Sequence, residues 1–103
     1  MQIVVFITCS SKLEGRRIAR ALVEKRLAAC VNIVDKIESI FCWKGKIEKA
    51  KEALLIVKSQ KKKFTKIIKL VRTMHSYEVP EIIAFRIFGG DKRYLKWIDE
   101  TLR

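Results

Sequence analysis

A chain of 103 residues, 50% apolar and 33% charged, is long enough for one packed core and too hydrophobic for disorder, so residues 1–103 read as a single domain. Its unbroken apolar runs are strand-length, far short of the roughly 20 residues a membrane helix needs, and the opening IVVFI is too short for a signal-peptide core. Lys and Arg number 23 against 11 Asp and Glu, a formal charge of +12 that attracts anions.

That charge reads first as the solvated surface of a heat-adapted protein, because no aromatic residues interleave with the main basic run. Nonspecific nucleic-acid binding by the basic helix at 61–72 is the lesser reading, so a nucleic-acid partner is not expected. The three cysteines (Cys9, Cys30, Cys42) are odd in number and form no CxxC pair. They fit reduced thiols and a cytoplasmic location better than a disulfide framework.

IVVFITC (3–9) reads as a buried first strand. Ser11-Lys12-Leu13-Glu14 has the capping-box form, which predicts a helix with Ile18, Ala21 and Leu22 on its inner side. AACVNIV opens a second strand that runs long, through IESIFCWKG, to a hairpin tip at Gly45, where glycine tolerates positive φ. EALLIVKS (52–59) returns as the third strand. Phe64, Ile67, Ile68 and Val71 follow the i, i+3, i+4, i+7 spacing of an amphipathic helix from about Lys61 to Met74. Three lysines at its start oppose the helix dipole. EIIAFRIF (81–88) is the fourth strand, and Asp91 caps a short last helix striped by Tyr94, Leu95, Trp97, Ile98 and Leu102.

The order βαββαβ plus a terminal helix predicts a ferredoxin-like α+β sandwich with an extended β2–β3 hairpin and both long helices on one sheet face. The other face is left bare except for the last helix. An exposed apolar face and a projecting hairpin, with Cys42 and Trp43 on it, predict a closed cyclic oligomer.

MHSYEVPEII (74–83) holds the sole histidine and the sole proline. Pro80 fits a strand start, because it lacks an N–H. His75 suits either a helix C-terminal cap or a metal ligand, and Met74 beside it offers a soft thioether suited to Cu(I). Tyr77 is placed to hydrogen-bond to another strand or subunit. Cys30 paired with His75 would resemble a Cys–His nucleophile, against the commoner role of a buried cysteine in packing. Glu52 and Lys58 flank LLIV, where either could face a pocket at the sheet's end. Lys61–Lys63 at a helix start form a candidate anion cradle.

ACVN (29–32), WKGKIE (43–48), KE (51–52), Lys58, HSYEVPEII (75–83) and YLKWI (94–98) together resemble the signature segments of the CutA divalent-ion tolerance family. The likeness covers essentially the whole chain, in order. It implies a homotrimer in which the hairpin crosses onto a neighbouring subunit, tolerance of divalent metals, copper binding and no assigned catalytic residues. Cys30, Asn32, Trp43, Gly45, Lys46, Glu48, Glu52, Lys58, His75, Tyr77, Pro80 and Glu81 match the family pattern. Some members carry a copper-associated cysteine just before the first strand's threonine and two adjacent histidines. Here Ile7 and Met74 stand at those places, and Cys9 keeps Ile7's strand face.

Two functional expectations follow. One is a metal site of His75, Met74 and Cys9, with Cys30 as a further candidate, for copper or another divalent cation. The other is a small-ligand or anion pocket of Cys30, Asn32, Glu52, Lys58 and Tyr77 in an inter-subunit cleft, by analogy with PII-type signalling trimers, with Trp43 and Cys42 at the interface.

Overall fold

The computed structural model describes residues 1–103 as β1 (Gln2–Cys9), α1 (Lys12–Glu24), β2 (Cys30–Trp43), β3 (Lys46–Gln60), a 3-10 turn (Lys61–Lys63), α2 (Phe64–Met74), β4 (Ile82–Arg86) and α3 (Lys92–Thr101). The strands make one antiparallel sheet in the order β2-β3-β1-β4. That is the order in which two βαβ halves interlock, each crossover helix returning over the same face.

Strand alternation decides what each face buries. Ile3, Val5, Ile7 and Cys9 of β1 lie opposite Ser59, Val57, Leu55 and Ala53 of β3, and all eight are buried. Ile18 and Leu22 of α1 and Ile67 and Val71 of α2 close over them in one apolar cluster. Each such side chain contributes about 1.5–3 kcal/mol through burial. At Gly15 helix α1 comes so close to the sheet that an added Cβ would stand 3.2 Å from the Leu55 side chain. A methyl group there would press on the Leu55 side chain, which would have to shift by a few tenths of an ångström.

The even-numbered residues Val4, Phe6, Leu54 and Ile56, with Ile83 and Phe85 of β4, make the opposite face, which is only partly covered. Helix α3 shields one end of it, where Asp99 accepts hydrogen bonds from the Gln2 and Gln60 side-chain amides at 2.8 Å each. Beyond α3 the face is open: Ile83 is 45% and Phe85 49% exposed.

Three elements differ from the sequence reading. Helix α2 begins at Phe64, because Lys61–Lys63 have no capping side chain and wind as a 3-10 turn. β4 spans only Ile82–Arg86, since Ile3–Arg86 is its last pair with β1. β3 starts earlier, at Lys46, and pairs with β2 along the whole hairpin.

The turn holding β2 to β3 consists of Lys44 and Gly45, both at positive φ (50° and 78°), the backbone of a tight hairpin matched to strand twist. A bulge at Asp35–Lys36, with Lys36 at φ 59°, interrupts the ladder between Val34–Leu54 and Ile37–Glu52. No helix is long and apolar enough to cross a membrane.

Candidate functional site

Three chain segments meet at one corner of the sandwich: the end of β1, the first turn of α1 and the loop leaving α2. Ser11 caps α1, its hydroxyl accepting from the Glu14 N–H at 3.1 Å. The capping box predicted from Ser11 and Glu14 does not close on itself, however. Glu14 Oε1 instead accepts from the Ser10 N–H (2.9 Å) and Ser10 hydroxyl (3.0 Å), while Oε2 accepts from the Ser76 N–H at 2.8 Å. One buried carboxylate thus ties the start of α1 to the exit of α2, 62 residues away. Burial by itself would raise the Glu14 pKa, but the donors on Ser10 and Ser76 outweigh it and hold the carboxyl at about 2.

His75 follows the last turn of α2, its extended backbone donating to Val71 O, and its side chain is fully buried. Both ring nitrogens are engaged. Nε2 lies 2.7 Å from the Thr8 carbonyl, which can only accept, so Nε2 carries the proton. Nδ1 accepts the Tyr77 N–H at 3.0 Å and stands 3.9 Å from Glu14 Oε1. The neighbours thereby select the neutral Nε2–H tautomer. Cys9, at 0% exposure, completes the corner. Burial first, and then the charges of Glu14 and Glu52, push its thiol up to about 12.

Ligand atoms of Cys9, Glu14 and His75 lie within 4.8 Å of one another. The donor set of sulfur, imidazole nitrogen and carboxylate oxygen suits copper or zinc rather than magnesium or calcium. These residues fit a cation by type and spacing. Loading would require the Cys9 proton to leave and the Tyr77 N–H···Nδ1 contact to open. Met74, half-buried on the last turn of α2, packs against the apolar core cluster.

Beyond the end of β1 the corner continues to the other sheet face. The Tyr77 hydroxyl donates to Glu52 Oε2 at 2.7 Å, and its ring lies 4.8 Å from that of His75. Burial, followed by the Glu52 carboxylate, raises the phenol pKa. Glu52 sits one residue past the last β1–β3 pair, Cys9–Ala53.

The sequence-predicted pocket is divided within one chain. Tyr77 and Glu52 meet, but Lys58 lies six residues along β3 from Glu52, on the order of 20 Å away in an extended strand. Lys58 pairs instead with Cys30, and Asn32 with Ile56. Cys30 lies beside Tyr94, whose phenol pKa is raised by burial and then by that thiol. The Cys30–His75 nucleophile pair is not formed. Cys30 aligns through Lys58 with Val4, on the face opposite buried Cys9 and four residues from Thr8. Within one chain the same separation keeps Cys30 apart from the group of Cys9, Glu14 and His75. Cys42 and Trp43 stand exposed near the hairpin tip, Trp43 at 56%. At Lys61–Lys63, which wind as a 3-10 turn, the first amide is not free, because the Lys61 N–H donates to the Met1 carbonyl.

Glu14 is the site residue that sequence reasoning misplaced. Its signal was absorbed by the local cap, and only the fold brings Ser76 and His75 to it.

Comparison with known proteins agrees with this fold. A family model described as CutA1 divalent ion tolerance protein matches residues 3–101. Protein CutA of Mus musculus is 45% identical over 96 residues, 93% of this chain and 54% of that protein, so the chain spans about half the length of this relative. The structure of the divalent cation tolerance protein Cut A1 from Thermus thermophilus superposes with a TM-score of 0.96, 46% identity and 98% coverage of both chains. That of the periplasmic divalent cation tolerance protein CutA from Archaeoglobus fulgidus gives 0.97, 48% and 100% of both. With nearly every residue inside the matched region, the chain belongs to the CutA1 divalent ion tolerance family.

Proposed function

We propose that the protein is a trimeric divalent-cation tolerance protein that holds copper, or a related divalent cation, through Cys9, Glu14 and His75. The observation that carries this reading is the convergence of a thiol, a carboxylate and an imidazole within 4.8 Å in a buried corner. A bound cation would supply the charge that stabilises Cys9 as thiolate, since metal binding and thiol deprotonation are linked. Phe85 at 49% and Trp43 at 56% exposure support self-association through the open sheet face and the β2–β3 hairpin. Three free thiols favour a reducing compartment, here the cytoplasm, although the Archaeoglobus relative is described as periplasmic. No catalytic role is assigned to any residue.

Calorimetric titration with copper and zinc tests the ligand set. His75→Ala and Cys9→Ala should each weaken binding at least about tenfold, roughly 1.4 kcal/mol. Unchanged affinity in both variants would reject the site. Sedimentation at micromolar concentration should show a trimer, and a stable monomer would refute the assembly.

A further inference from the structure

The positive charge of this protein is segregated by layer. Residues 12–26 and 61–74, which contain α1 and α2, hold 12 of the 23 cations but only two acids, Glu14 and Glu24, and so carry +10 of the net +12. Everything else holds 11 cations against nine acids. Both helices cover the same sheet face. Of the two acids, Glu14 is buried and already holds Ser10 and Ser76, and Glu24 is paired with Arg20 at 2.9 Å. No cation of α2 or of the turn before it makes an ion pair within the chain.

This pattern differs from a heat-adapted surface, in which opposite signs interleave into ion-pair networks. Here like charges share one layer with few opposite charges among them, an arrangement that an external anion would relieve. Lys62 of the 3-10 turn and Lys66 and Lys69 of α2 are exposed and follow one another along the same stretch of chain, Lys66 and Lys69 about 4.5 Å apart at the rise of a helix. Helix α2 exposes no large apolar side chain and no aromatic ring, and α1 exposes only Leu13 and Val23, ten residues apart. A lipid-inserting surface needs the first and a base-stacking surface the second.

We infer that the α1–α2 layer is a docking surface for the phosphate backbone of double-stranded nucleic acid, bound without regard to sequence. The layer lies opposite the open apolar face, so self-association through that face leaves it accessible. The inference is independent of the cation site.

The test is fluorescence anisotropy of the full chain with a 20-bp DNA duplex of arbitrary sequence, between about 50 and 200 mM NaCl. About four or more phosphate contacts should give a log–log salt slope near −4 or steeper. Lys66→Glu with Lys69→Glu should weaken binding at least about tenfold and flatten the slope by about two. Lys92→Glu with Arg93→Glu, the same change in formal charge at the start of α3, should weaken it less than about threefold. No duplex binding at about 50 mM NaCl, or equal losses in the two double variants, would overturn the inference. So would binding to vesicles rich in phosphatidylglycerol without binding to the duplex.

Discussion

Replacing Glu14 by Gln isolates the interaction that joins α1 to the exit of α2. The carboxylate accepts three hydrogen bonds of 2.8–3.0 Å from Ser10 and Ser76, and its side chain is only 6% exposed. An amide of the same shape presents one oxygen and one NH2 group, so at least one backbone N–H of Ser10 or Ser76 loses its acceptor. A buried donor left unpaired costs about 1–3 kcal/mol, and loss of the charge weakens the bonds that remain. The displacement of the Glu14 pKa from 4.5 to about 2 gives an independent bound, on the order of 3 kcal/mol. The folded value lies below the unfolded one, so this stability is fully present above the ordinary carboxyl pKa. It is lost as pH falls from about 4.5 to about 2. Guanidinium unfolding with EDTA, at fixed protein concentration and several pH values, should place Glu14→Gln about 2–4 kcal/mol below the parent at pH 7. The gap should shrink steadily below pH 4.5 and nearly vanish by about pH 2. A gap under about 0.5 kcal/mol at pH 7, or one that does not change with pH, would refute the reasoning.

Two further substitutions probe the core and the far side of the corner. Leu22→Ala removes a side chain with 0% exposure from the α1 face of the core and should cost about 2–5 kcal/mol in the same unfolding assay. Tyr77→Phe deletes the hydroxyl that bonds Glu52 but keeps the backbone N–H on His75 Nδ1. It should cost about 1–2 kcal/mol of stability and change copper affinity less than about threefold. A collapse of copper binding in Tyr77→Phe would show that the ligand set extends beyond Cys9, Glu14 and His75.

Local physics made much of this fold readable. Alternation along residues 3–9, the Ser11 cap, the Phe64–Ile67–Val71 stripe and Gly45 at the hairpin tip each depend on neighbours within a few positions, and each element stands where those signals put it. What escaped depends on residues brought together by the crossovers. Glu14 looks like half of a capping box until Ser76 arrives from 62 residues away. Glu52, Lys58 and Cys30 are expected from the sequence around one cleft between subunits, and within one chain strand rise places Glu52 and Lys58 far apart along β3. Lysines at 61–63 look like a helix start, yet without a capping side chain they wind as a 3-10 turn. The basic outer face of α2 is legible in the sequence, and the fold adds that α1 brings its own cations to the same layer.

X-ray absorption of the zinc-loaded protein tests the proposed ligand set most directly. A cation held by Cys9, Glu14 and His75 predicts one sulfur neighbour at about 2.3 Å with nitrogen and oxygen neighbours at about 2.0–2.1 Å. It also predicts that the sulfur shell disappears in Cys9→Ala and persists in Cys30→Ala and Cys42→Ala. A shell of oxygen and nitrogen alone in the parent protein, or a sulfur shell that survives in Cys9→Ala, would contradict it.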